Sequence, residues 1–119
     1  MHMIDTKEIL KLAVQAMEEK KGEQIKVLDI SKVSVVADYF VIVNGNNQNQ
    51  VQAISEEIQS KLTKEGIEPK HIEGIRHSDW VLLDYSDIVI HIFNKEDRLF
   101  YDLERIWKDG IVVEDVNTI

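Results

Sequence analysis

Four carboxylates, Glu73, Asp79, Asp84 and Asp87, fall within fifteen residues, and His77 and His91 stand close to them in the chain. Hard cations take oxygen ligands, so such a set could hold a divalent metal and serve phosphoryl transfer. The local sequence favours a different role for two of them. Asp84 and Asp87 bracket the tight turn Asp84-Tyr85-Ser86-Asp87 between two apolar segments, where aspartate commonly hydrogen-bonds its own backbone. His91 is flanked by apolar residues and belongs to no HxH or HExxH spacing, which is the setting of a hydrogen-bonded core or interface histidine rather than a metal ligand. Gly45-Asn46-Asn47 lies where backbone amides could cradle a phosphate, yet it matches neither GxGxxG nor the Walker pattern, and a capped helix start explains it. No serine sits in a G-x-S-x-G elbow and the chain has no cysteine, so no nucleophile with its base is legible. Trp80, Tyr85, Phe100, Tyr101 and Trp107 read first as core residues. Trp80 opens a strand beside a polar loop, and tryptophan is also the type enriched at binding hot spots.

The elements that must position these residues follow from periodicity. Asp5-Thr6-Lys7-Glu8 forms a capping box, and Ile9, Leu12, Ala13, Ala16 and Met17 recur behind it at helical spacing, ending near Gly22. Ile25 to Ile30 and Tyr39 to Val43 are short, β-branched and aromatic-rich, hence strands; the second is almost wholly apolar, which predicts burial on both faces. Asn47 is placed to cap a helix over 48–65 carrying Val51, Ile54, Ile58 and Leu62, with Gly66 as its stop. His71 to Ile75, Trp80 to Asp84 and Ile88 to Phe93 read as three further strands. A final helix over 95–107 carries Leu99, Leu103, Ile106 and Trp107 on one side. The order α-β-β-α-β-β-β-α, without repeat or linker, predicts one α/β domain over 4–110, a mixed five-stranded sheet flanked by helices, and a short tail over 111–119.

Bulk composition narrows the function classes. With 44% hydrophobic residues, one proline and five glycines, the chain has the make-up of an ordered globule. Its net charge of −8 argues against nucleic acid as the principal ligand, because phosphate-tracking surfaces need clustered lysine and arginine. A basic protein partner suits it better, although an acidic surface can also serve solubility alone. The lack of cysteine removes disulfides and thiolate metal sites, and no apolar run approaches the ~20 residues needed to span a bilayer. A cytoplasmic protein without membrane attachment is the expectation; Met1 and His2 ahead of Met3 read as a cloning remnant.

Specific stretches then suggest a family. Val27-Leu28-Asp29-Ile30, Ala37-Asp38-Tyr39-Phe40-Val41-Ile42 and Ala53-Ile54 resemble the first half of the Iojap-like ribosomal silencing factors. Glu73-Gly74, Trp80-Val81-Leu82-Leu83-Asp84, Asp87-Ile88-Val89-Ile90-His91-Ile92-Phe93 and 98–107 resemble the second half, so the likeness covers about residues 5 to 107 in order. Ser86 departs from the glycine usual in the family, and Asn47 from a serine. The resemblance implies a nucleotidyltransferase-like fold without catalysis or cofactor. It also implies binding to the large ribosomal subunit through ribosomal protein L-fourteen at the face that meets the small subunit, and repression of translation. A homodimer is compatible with it. Nucleotidyl transfer would need a Gly-Ser or Gly-Gly turn and an Asp-x-Asp or Asp-x-Glu strand, whereas Gly45 is followed by asparagine and Asp84 and Asp87 are three apart. The partner-binding surface is expected on Glu73, Trp80, Asp84, Asp87, His91 and Tyr101. Strand alternation puts Trp80, Leu82 and Asp84 on one face, which mixes an aromatic, an aliphatic and a charge. A divergent nucleotide-binding enzyme of the same fold, or an assembly factor of the large subunit, are the alternatives.

Overall fold

Two helices cover one face of a six-stranded mixed sheet in the computed structural model of the chain, which describes residues 5–32, 35, 37–74, 79–95 and 111–113. The elements are α1 (Thr6–Glu19), β1 (Glu23–Asp29), β2 (Tyr39–Gly45), α2 (Gln48–Lys64), β3 (His71–Glu73), β4 (Trp80–Asp84), β5 (Ile88–Asn94) and β6 (Ile111–Val113). In space the strands run β3-β4-β5-β2-β1-β6. β2 and β5 pair in parallel and every other neighbouring pair is antiparallel. A parallel pair needs a crossover connection. Here it runs through α2 and the β3–β4 pair, which delivers β4 to the outer side of β5.

Both caps form as the sequence dictates. The Asp5 carboxylate accepts the Glu8 N–H at 2.9 Å, and the Asn47 side chain accepts the Gln50 N–H at 2.9 Å, each satisfying a donor that the first helical turn leaves orphaned. At the end of α2, Gly66 takes φ +78°, with Gly66 N–H bonded to Thr63 O and Ile67 N–H to Leu62 O. This is the Schellman closure, in which glycine adopts the left-handed conformation without a Cβ clash. α1 ends in the same hydrogen-bond pattern, but the left-handed position falls on Lys21 (φ +60°) and not on Gly22.

The two faces of the sheet bury different clusters. Toward the helices lie Val27, Tyr39, Val41, Val43, Val81, Leu83, Ile88, Ile90 and Ile92, packed with Leu10, Met17, Ile54, Ile58 and Leu62. Each fully buried aliphatic side chain contributes roughly 1.5–3 kcal/mol. On the opposite face Leu28, Phe40, Ile42 and Phe93 are buried with Ile30 and Ala37, which come from the segment between β1 and β2. β2, central in the sheet, is buried along its whole length, as its unbroken apolar run requires.

Two findings differ from the sequence reading. α1 buries the expected Ala13, Ala16 and Met17 but adds Leu10 and Val14 to the core and leaves Ile9 and Leu12 only partly buried. Ile111–Val113, expected as tail, pairs with β1 as the sixth strand. The helix expected over 95–107, with Tyr101, lies beyond its first residue outside the described residues.

Candidate functional site

Alternation along β4 sends Val81 and Leu83 under the helices and leaves Trp80, Leu82 and Asp84 half-buried on the other face. The register then lines up rows across that face. Glu73, Leu82, His91 and Ile42 form one row; His71, Asp84, Val89 and Phe40 form the next. Trp80 stands opposite Phe93. The face is therefore graded: exposed polar groups on β3, half-buried Trp80, Leu82, Asp84 and Val89 in the middle, and buried aromatic and aliphatic side chains toward β2. Among the described residues no helix packs on it.

The aromatic side chains at its centre form one cluster, with Trp80, His91 and Phe93 stacked and Phe40 tilted against His91. Phe40 and His91 have ring centroids 4.5 Å apart, Trp80 and His91 5.8 Å, His91 and Phe93 6.0 Å, and Trp80 and Phe93 6.3 Å. The Trp80 indole N–H donates to His91 Nδ1 at 3.0 Å. An indole N–H can only donate, so Nδ1 is the bare nitrogen and the ring proton sits on Nε2. His91 is 6% exposed, and burial pushes its pKa down to about 4, which keeps the imidazole neutral at physiological pH. Phe40 and Phe93 were not among the expected site residues. Their aromatic type was visible, but their meeting with His91 depends on the β2–β5 and β4–β5 registers, which no local signal sets.

Gly74 fixes where β4 begins. Its φ is +75°, and a Cβ built on it would clash with the Trp80 carbonyl oxygen, so only glycine lets the chain after β3 pass so close to Trp80. On the other side Asp79 accepts the Asn94 N–H on its carbonyl at 2.8 Å, and its carboxylate accepts from Asn94 Nδ2 and Gln48 Nε2. Asp79 thus ties the start of β4 to the end of β5 and the start of α2.

The remaining carboxylates separate. Asp84 Oδ1 accepts the Ser86 N–H at 2.8 Å, the turn role expected of it, and Ser86 takes φ +73°, which explains why glycine would suit that position. Asp87 sits on the same turn with its carboxylate accepting the Thr6 hydroxyl at 3.2 Å, toward the start of α1 and away from Trp80. Glu73 is exposed at the β3 edge, where it hydrogen-bonds His71 at 2.9 Å. Of the six expected contact residues, then, Glu73, Trp80, Asp84 and His91 share one face, with His91 buried beneath Trp80; Asp87 lies at the turn, and Tyr101 is outside the described residues. Among the described residues no three histidine or carboxylate side chains gather where they could share a metal ion. Tyr85, read as core, is buried on the helix side, and burial, with Glu68 nearby, pushes its pKa up to about 12. A cleft of about 210 Å³ lined by Thr6, Lys7, Ser31, Asp38 and Tyr39 opens beside the start of α1, apart from the graded face.

Likeness to known proteins covers nearly all of this architecture. Residues 3–119 match the family described as "Ribosomal silencing factor during starvation". The chain is 42% identical over 111 residues to a ribosomal silencing factor of Halalkalibacterium halodurans, covering 93% of this chain and 95% of that one. It is 44% identical over 107 residues to that of Bacillus subtilis, covering 90% and 91%. The crystal structure of a Chromobacterium violaceum protein superposes with a TM-score of 0.85 at 34% identity, covering 88% of each chain. With the family match and these identities spanning nearly the whole chain, the chain belongs to the ribosomal silencing factor family.

Proposed function

We propose that this chain represses translation by binding the large ribosomal subunit through ribosomal protein L-fourteen at the intersubunit face, so that the small subunit cannot join, and that it catalyses no reaction. The observation that carries this reading is the graded face: half-buried Trp80 and Leu82 beside the carboxylates of Asp84 and Glu73, on the side of the sheet that the two described helices leave alone. An interface with an apolar centre and a polar rim is built in this way. The net charge of −8 complements the basic surface typical of ribosomal proteins, which raises the encounter rate and orients the approach, while a few desolvated anchors supply most of the affinity. Obstruction needs no chemistry; a 13.8 kDa body seated where two large particles fit closely blocks them by excluded volume.

The carboxylates support a binding role over an enzymatic one. Asp84, Asp87 and Asp79 each accept hydrogen bonds that hold a turn or a strand end, and His91 is neutral and engaged by Trp80. The experiment mixes the purified protein with separated ribosomal subunits and resolves them on a gradient. Co-migration with the large subunit, and a loss of joined particles when the small subunit is added, is the expected result. Migration with neither subunit would overturn the reading.

A further inference from the structure

Trp80 opens a short strand near the edge of the sheet, and an indole there has two side-chain torsions to settle. Its neighbours settle them. Trp80 stands opposite Phe93, so His91, two residues back on β5, is its diagonal neighbour on the same face, within reach of a large side chain. The imidazole stacks near-parallel to the indole (21°) and to Phe93 (7°), and its Nδ1 takes the indole N–H at 3.0 Å. His91 itself is 6% exposed, too buried to offer a partner much surface.

We propose that His91 is a positioning residue for the docking face: its Nδ1 holds the indole of Trp80 in a single orientation, so that Trp80 meets the large subunit preorganised as an anchor. This rests on the reading that the Trp80 face docks on that subunit. Preorganisation strengthens binding by removing the entropy otherwise lost when a side chain is ordered at an interface. Burial of the imidazole serves the same end, because a neutral ring keeps the Nδ1 lone pair available.

The test compares His91→Phe, which keeps an aromatic ring and removes the acceptor, with His91→Asn, whose Oδ1 can stand where Nδ1 stood. Hydrogen exchange of the Trp80 indole N–H is followed by NMR in the full chain, the resonance being identified by its absence from Trp80→Phe. Affinity for purified large subunits is measured alongside, with Trp80→Ala as the control for the face. In His91→Phe the indole N–H is expected to exchange about tenfold faster and subunit affinity to fall about tenfold, the worth of one neutral hydrogen bond, with both restored in His91→Asn. Unchanged indole exchange in His91→Phe would overturn the proposal. So would faster exchange with parental affinity, provided that Trp80→Ala binds weakly. Parental affinity in Trp80→Ala would instead remove the docking face itself, and with it any role for His91 in binding. Should His91→Phe fail to fold, the parent decides the geometry: scalar coupling across the indole N–H to His91 Nδ1 supports the clamp, and its absence contradicts it.

Discussion

His91 carries a pH signature that can be read without any partner. Its ordinary value of 6.5 falls to about 4 in the folded chain because the ring is buried. Above 6.5 both folded and unfolded chains hold the imidazole neutral, and stability is complete. As pH drops from 6.5 towards 4 the unfolded chain takes up a proton that the folded one refuses, so stability is expected to fall by about 3 kcal/mol across that window. Urea unfolding at stepped pH measures it, and His91→Phe is expected to flatten the slope; an equal slope in that variant would assign the effect elsewhere. Tyr85 offers the opposite case. Its hydroxyl is buried with no hydrogen-bond partner among the described residues, so it carries a desolvation cost without return. Tyr85→Phe is expected to leave stability unchanged or raise it by up to about 1 kcal/mol. A loss of more than that in thermal melts would mean that the hydroxyl has a partner. Neither property was legible in the chain: apolar neighbours marked His91 as core and aromatic type marked Tyr85, but the indole donor that reaches His91 and the lack of a partner for Tyr85 among the described residues are products of register and packing.

Local signals set the helices, whereas distant pairing sets the sheet. Asp5 and Asn47 cap α1 and α2 as read, because a cap and the donor it satisfies lie three residues apart. Which strands become neighbours is a different matter. The parallel pairing of β2 with β5 joins residues 49 positions apart along seven matched pairs, from Tyr39 with Ile88 to Gly45 with Asn94, and nothing near either strand announces it. β6 escaped notice because three residues are too few to show alternation; Ile111 to Val113 become a strand only because β1 presents a free edge to them. The β3–β4 pair shows how one backbone contact positions the site. Gly74→Ala places a Cβ against the Trp80 carbonyl and asks alanine to hold φ +75°, so β3 must move away from Trp80. The expected outcome is a loss of about 1–3 kcal/mol in stability, the cost of such backbone strain, together with weaker subunit binding. Hydrogen exchange should locate the loosening in β3 and β4, and a variant as stable and as tightly bound as the parent would show that the close approach is not needed.

The whole molecule presents an acidic body with one graded face, and charge and contact should separate in kinetics. Glu73 is exposed on the rim, so Glu73→Lys is expected to slow association and weaken its salt dependence while leaving dissociation nearly unchanged. Stopped-flow measurements at several ionic strengths check this, and a change confined to dissociation would place Glu73 in the centre of the contact instead. The charge was legible from composition and the mixed face from alternation along Trp80-Val81-Leu82-Leu83-Asp84, since both depend only on residue type and period. That Asp87 would turn toward Thr6 was not, because the start of α1 reaches that turn only in the folded sheet. Trp80 bears most of the account, and its truncation tests it most directly. Affinity for ribosomal protein L-fourteen is measured for the parent and Trp80→Ala, with thermal melts of both to separate binding from folding. Trp80→Ala is expected to remain folded and to bind about thirtyfold more weakly, near 2 kcal/mol. A Trp80→Ala protein that melts like the parent and binds just as tightly would contradict the assignment of this face.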